Sequence, residues 1–213
     1  MFLFYSEFFE LEIVAEKTLV LDIGAGTGLL SLIIAQKTRA MVDAVEIVGA
    51  ACGQAGANFD ASPWKDRLNI FNADITNFRP GKKYDHIISN PPFYEDDLRS
   101  DDEGKNSAKH DLTLTLTELL KVVNDLLKDE GTLWVLLPYH RVGLFENEAG
   151  GMGFHTNYKI LIRQTTIHPY FRGILALSKN KTANKNKEFI IKTGNGVYTE
   201  AFIELLGEYY LNL

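Results

Sequence analysis

The chain has 213 residues, 46% of them apolar, which is enough for one sizeable core and excludes a disordered or collagen-like polypeptide. A lone cysteine, Cys52, excludes an internal disulfide and a metal site built on paired cysteines, so no metal is expected. The net charge of −6 argues at first against a nucleic-acid partner, because phosphates are held by Lys and Arg.

The charge is unevenly spread. There are 13 basic against 22 acidic residues over 1–130, 9 against 3 over 131–192 and none against 3 over 193–213. Lys179, Lys181, Lys185 and Lys187 form a run without an acid until Glu188. The run reads either as a solvated loop or as a surface for phosphates.

Residues 1–17 keep a helical spacing only at Phe8, Leu11, Val14 and Ala15, and form a short or diverged lead. The aromatic start has no basic residue, carries Glu7 and is too short to cross a membrane, so a cytoplasmic protein is expected. Residues 18–23 are a nearly continuous apolar run, the pattern of a strand buried on both faces. It leads through Asp22 into Gly24-Ala25-Gly26-Thr27-Gly28 and then a helix over 29–38. Strand, glycine turn and helix open a nucleoside-binding α/β sheet, although tight turns also need glycine for structural reasons alone. A second strand, 41–46, ends in Glu46, suited to two ribose hydroxyls or to a helix N-terminus. A helix over 50–60 and a strand over 67–72 follow, and Asp74 then reads as an acceptor for an adenine amine or as an Asx turn.

The fourth strand, 84–89, stops at Asn90-Pro91-Pro92-Phe93. Two prolines end a ladder and stiffen the backbone, so the Asn90 amide oxygen and the Pro91 carbonyl can converge on one donor beside the flat Phe93 ring. An amino group on a flat ring fits that arrangement; a proline-terminated strand with a capping Asn is the plainer reading. Residues 94–110 are polar without a hydrophobic period, and read as a loop over the site that begins at Tyr94 and closes at Lys109 and His110. Then come a helix (112–127), a strand (131–137), a short helix (141–149), an antiparallel pair (158–168 and 171–177), a short strand (189–192) and a terminal helix (199–210). With no repeat or linker, residues 1–213 are expected to form a single domain.

The glycine loop, Glu46, Asp74 and Asn90-Pro91-Pro92-Phe93, in this order, resemble the class I S-adenosylmethionine-dependent methyltransferases, and the Asn-Pro-Pro-aromatic signature resembles their amino-methylating branch. Ala61-Ser62-Pro63-Trp64, Ala108-Lys109-His110, 174–178, 198–200 and 209–211 extend the likeness to the bacterial valine tRNA adenine-N6 methyltransferases. The resemblance implies a Rossmann-like α/β fold: a mostly parallel seven-stranded sheet with helices on both faces and an antiparallel closing strand. It implies S-adenosylmethionine at Asp22, Gly24, Gly26, Gly28, Glu46 and Asp74, and catalysis at Asn90, Pro91, Pro92 and Phe93. A tRNA anticodon loop would meet Tyr94, Lys109, His110, Arg163, Arg172, Lys179 and Lys181, with the enzyme a monomer. Other acceptors of that branch, a protein glutamine or guanine N2, and a non-catalytic RNA-binding relative, are the alternatives. A Lys-Val-Gly-Thr-Asp-like segment that such proteins carry ahead of the first strand is absent here, which implies a weaker hold on the cofactor.

Overall fold

A computed structural model describes residues 18–91 and 114–209. The lead helix expected within 1–17, and the loop over 94–110 with Pro92, Phe93, Tyr94, Lys109 and His110, lie outside the described residues.

Among the described residues, eight strands form one sheet in the order β3-β2-β1-β4-β5-β7-β6-β8. These are β1 (Leu19–Ile23), β2 (Met41–Glu46), β3 (Leu68–Asn72), β4 (Tyr84–Ser89), β5 (Leu127–Pro138), β6 (His155–Arg163), β7 (Tyr170–Ser178) and β8 (Lys185–Ile190). The first five run parallel, β7 is antiparallel to both β5 and β6, and β8 extends the edge parallel to β6. This is the Rossmann-like arrangement expected from the sequence, one edge strand wider.

The helices are α1 (Leu29–Lys37), α2 (Gly49–Asp60), α3 (Leu116–Leu126), α4 (Tyr139–Gly151) and α5 (Glu200–Leu206). Alternation along the strands divides the core in two. Val20, Val42, Ile88 and Trp134 pack on one face with residues of α1, α2 and α5. Leu21, Val45, Ile87 and Val135 pack on the other with residues of α3 and α4. Burial on both faces explains why these strands read as unbroken apolar runs.

Several boundaries differ from the sequence expectation: β5 begins at Leu127 instead of 131, and β6 spans His155–Arg163 instead of 158–168. Two further differences have plain local reasons. Helix α3 starts at Leu116 because Thr115 and Glu118 form a reciprocal capping box, with Thr115 Oγ1 accepting from the Glu118 N–H and the Glu118 carboxylate from the Thr115 N–H. The last expected strand, 189–192, begins earlier, at Lys185, because β6 pairs with it from Tyr158↔Lys185 to Arg163↔Ile190. The lysine run is therefore partly strand.

Candidate active site

The register gathers the strand ends. Ile23 pairs with Val45 on one side and Ser89 on the other, Val45 pairs with Phe71, and Glu46 with Asn72. The glycine turn, Glu46, Asp74 and Asn90-Pro91 thus all leave the sheet at one rim, at the carboxyl ends of neighbouring strands. In an open α/β sheet this is where ligands bind.

Hydrogen bonds of 2.9 and 3.2 Å from the Gly24 and Ala25 N–H groups to the Val45 carbonyl tie the turn to β2. Gly24, Gly26 and Gly28 have φ of 72°, 57° and 79°, a left-handed backbone that L side chains rarely adopt. Their surroundings differ. A Cβ at Gly24 or Gly26 would meet no atom within 4 Å, whereas one at Gly28 would lie 2.4 Å from Phe59 Cε1. Gly28 lets α2 pack against the turn, while the other two keep an open cradle.

Glu46 is buried, and both its oxygens are engaged: Oε2 accepts from the Gly26 N–H and Oε1 from the Val48 N–H, each at 2.8 Å. Sequence reasoning found its place at a strand end but missed this clamp, whose partner lies 20 residues away. Asp22 is also buried, and accepts from Ser31 Oγ at 2.7 Å. Burial pushes its carboxyl up to about 7, against the Ser31 hydrogen bonds and with a further upward push from Glu46. Asp74 caps the short 3₁₀ turn Ile75–Asn77, its Oδ1 accepting from the Thr76 N–H and Oγ1 at 2.8 Å. Ser89 Oγ donates to the Ile23 carbonyl at 3.1 Å, fastening the base of the Asn90 segment to β1. Pro91 is buried and Asn90 partly so.

The basic residues divide. Arg163 ends β6 and Arg172 lies near the start of β7, paired with Pro138 at the carboxyl end of β5, so both stand at the same rim as Asn90. Arg163 binds Glu188 at 2.8 Å, and Glu188 also accepts from Tyr170 Oη at 2.6 Å. Lys179 and Lys181 follow the far end of β7, where Leu177 pairs with Leu133. At ~3.3 Å per residue they are more than roughly 20 Å from Arg172, toward the opposite edge. There Lys179 donates to Asn124 and lies 5.3 Å from the centre of the Phe154 ring.

Among the described residues no group of three or more His, Cys, Asp or Glu could hold a metal ion, and no helix is long and apolar enough to cross a membrane.

The methyltransferase small-domain family matches residues 6–143. A Flavobacterium johnsoniae protein named tRNA1(Val) (adenine(37)-N6)-methyltransferase is 35% identical over 198 residues, 91% of this chain and 84% of its own. One of the same name from Bacteroides fragilis is 34% identical over 91% of this chain and 83% of its own. The fold is shared with solved structures of low identity. One is an Agrobacterium tumefaciens protein described as a predicted O-methyltransferase, with a TM-score of 0.70, 18% identity and coverage of 89% of this chain and 88% of that one. Another is the glycopeptide N-methyltransferase MtfA, solved with S-adenosylmethionine, with a TM-score of 0.61, 11% identity and coverage of 83% and 93%.

Proposed function

We infer how the site works from one premise: this chain belongs to the tRNA1(Val) (adenine(37)-N6)-methyltransferase family, within the methyltransferase small-domain proteins. It is a tRNA adenine-N6 methyltransferase and uses S-adenosylmethionine. The cofactor supplies a methyl group made electrophilic by its sulfonium. The residues of the rim fit such a ligand: the open space at Gly24 and Gly26 admits it to the backbone, and Glu46 and Asp74 give this half of the rim the negative charge that a cation needs. In this reading the turn holds the methionine part, Glu46 the ribose and Asp74 the adenine. Each Glu46 oxygen has a second lone pair beyond its one bond, and Asp74 keeps one on Oδ2 beside the bond from Asn77, its Oδ1 being filled by Thr76.

The exocyclic amine of adenine is a poor nucleophile, because its lone pair is delocalised into the ring. Asn90 Oδ1 and the Pro91 carbonyl accept its two N–H bonds, which favours a tetrahedral nitrogen with its lone pair turned toward the glycine turn. Neither oxygen takes a proton at neutral pH, so the proton leaves to water. Catalysis then rests on proximity and orientation, worth ~7 to 11 kcal/mol in well-aligned systems. Pro92 and Phe93 complete the motif in sequence, and the family resemblance assigns Phe93, Tyr94, Lys109 and His110 to the substrate. Unpaired loop bases cost least to splay out, which favours an anticodon loop over a duplex. One copy of the chain suffices for this arrangement, and a monomer in the cytoplasm is the expected form.

The observation that carries the reading is the pairing of Ile23 with Ser89, which sets Asn90 beside the glycine turn. The experiment is turnover of an anticodon stem-loop RNA by Asn90→Ala, with S-adenosylhomocysteine binding measured by calorimetry. The expected result is a turnover loss of at least about 100-fold with binding retained, since the substitution removes orientation alone. Turnover near that of the wild type would remove Asn90 from catalysis.

A further inference from the structure

Two tyrosines at the rim belong to neither core cluster. Tyr139 follows Pro138 directly and opens α4, and Tyr170 follows Pro169 and opens β7. Pro138 ends β5 at the rim and Pro169 lies in the rim connection between β6 and β7, so both tyrosines stand at the sheet's carboxyl edge, on the side of Asn90 away from Glu46. Their rings touch, with centroids 5.3 Å apart at 50°, yet Tyr139 is 42% exposed and Tyr170 partly so.

This exposed pair is held in place. Tyr170 Oη donates to Glu188 at 2.6 Å, and the Arg163 guanidinium, itself paired with Glu188, lies 5.5 Å from the Tyr170 ring centre. A ring fixed by its own hydroxyl is ordered before any partner arrives, which lowers the entropy lost on binding. The surrounding charge has one sign. The rim segments 138–142, 162–172 and 189–198 carry Arg141, Arg163, Arg172 and Lys192 and no Asp or Glu, and the nearby Glu188 is occupied by Arg163 and Tyr170.

An exposed, pre-set aromatic pair ringed by cations suits a flat base with a phosphate on either side. Resting on the tRNA reading above, we propose that Tyr139 and Tyr170 form the stacking seat for a nucleotide next to the target adenine in the anticodon loop, with Arg172 and Lys192 facing its phosphates. The seat takes an unpaired nucleotide, because a base within a duplex keeps its faces stacked on its neighbours. Binding it there turns the target base across β5 toward Asn90, so the tyrosines are positioning and specificity residues and not catalytic ones.

The test uses the full chain and an anticodon stem-loop RNA carrying 2-aminopurine beside the target adenine, whose fluorescence falls on stacking. Wild-type protein is expected to quench it. Tyr139→Leu and Tyr170→Leu are expected to weaken quenching and to raise Kd about 5- to 100-fold, the range for loss of one base–aromatic stack. Tyr139→Phe keeps the ring and is expected to bind as wild type, and all three variants keep their S-adenosylhomocysteine affinity. Leu variants that bind and quench normally overturn the proposal, as does a Tyr139→Phe defect as large as that of Tyr139→Leu. A parallel loss of S-adenosylhomocysteine binding also overturns it, because the tyrosines would then support the fold. If wild-type protein does not methylate the unlabelled RNA, the tRNA reading itself falls and the seat with it.

Discussion

Glu46 is committed before a ligand arrives, since its two oxygens hold the Gly26 and Val48 N–H groups. Removing it loosens the cradle and deletes an acceptor together. Glu46→Ala is expected to weaken S-adenosylhomocysteine binding by roughly 1 to 3 kcal/mol in calorimetry, through lost charge-assisted hydrogen bonds, and to lower the melting temperature. A lower melting temperature with unchanged affinity would confine Glu46 to the loop. This dual use also shows what the sequence could reveal. An acid at the end of β2 is legible from the apolar run before it, but a bond to the backbone of Gly26 exists only once β1 and β2 lie side by side. Asp74 makes the same point, since both readings of a strand-end Asp were open and the structure shows the cap.

Asp22 gives a prediction in pH. Its folded carboxyl is pushed up to about 7 by burial, well above the value of an exposed aspartate, so folding takes up a proton between about pH 4 and 7. Its contribution therefore favours the folded state at the acid end of that window and is lost as pH rises through 7. His86 runs the other way: burial lowers it to about 4, so its contribution falls as pH drops below the ordinary histidine range. Asp43 and Asp85 are also pushed up by burial, but hydrogen bonds from Lys82, Tyr84 and Asn69 to the first, and from the Leu19 N–H and Lys128 to the second, outweigh it and hold both low. Their contributions are lost only as pH falls through the acid range below that window. Comparing wild type with Asp22→Asn cancels these other groups. In urea unfolding the variant is expected to gain on the wild type by on the order of 2 to 4 kcal/mol between pH 4 and pH 8. A difference independent of pH would mean that Asp22 is ionised in the folded protein throughout.

At the scale of elements, the packing of α2 on the glycine turn is the most exacting contact near the site. Gly28→Ala places a methyl against the Phe59 ring at a left-handed residue, so strain and overpacking combine to cost about 2 to 4 kcal/mol, measured as a drop in the urea midpoint. Gly24→Ala has only the backbone strain to bear and is expected to cost less stability while obstructing the cradle. The parallel strands and α1 were legible because burial on both sheet faces leaves continuous apolar runs bounded by Gly, Asp and Pro. The start of α3 was written in Thr115-x-x-Glu118, though hydrophobic spacing alone placed it earlier. Strand β8 was half hidden, since Lys185, Asn186 and Lys187 gain their extended form from backbone bonds to β6, and their side chains stay exposed. No periodicity in the side chains announces such an edge strand.

At the scale of the whole molecule, the rim is divided by sign. Glu46 and Asp74 stand on the β1 to β3 side, while Arg141, Arg163, Arg172 and Lys192 stand on the β5 to β8 side, with Asn90 between them. A cationic methyl donor and a polyanionic RNA would thus approach one crevice from opposite flanks, and an overall charge of −6 is no obstacle to binding nucleic acid. In sequence, 131–192 reads as one basic surface; antiparallel β7 carries its two ends to opposite edges of the sheet. Arg172 and Lys192 stand at the same carboxyl rim as Asn90, whereas Lys179 and Lys181 lie beyond the other end, where Lys179 is engaged with Asn124. The salt dependence of RNA binding distinguishes the two groups. Each phosphate contact contributes ~0.7 to 0.9 to the slope of log K against log salt. Arg172→Gln with Lys192→Gln is therefore expected to flatten the slope by roughly one to two contacts. Lys179→Gln with Lys181→Gln is expected to leave it close to that of the wild type. Equal flattening by both pairs would show that the RNA runs back across β7 to the far edge, and no flattening by the first pair would remove the rim from the phosphate path.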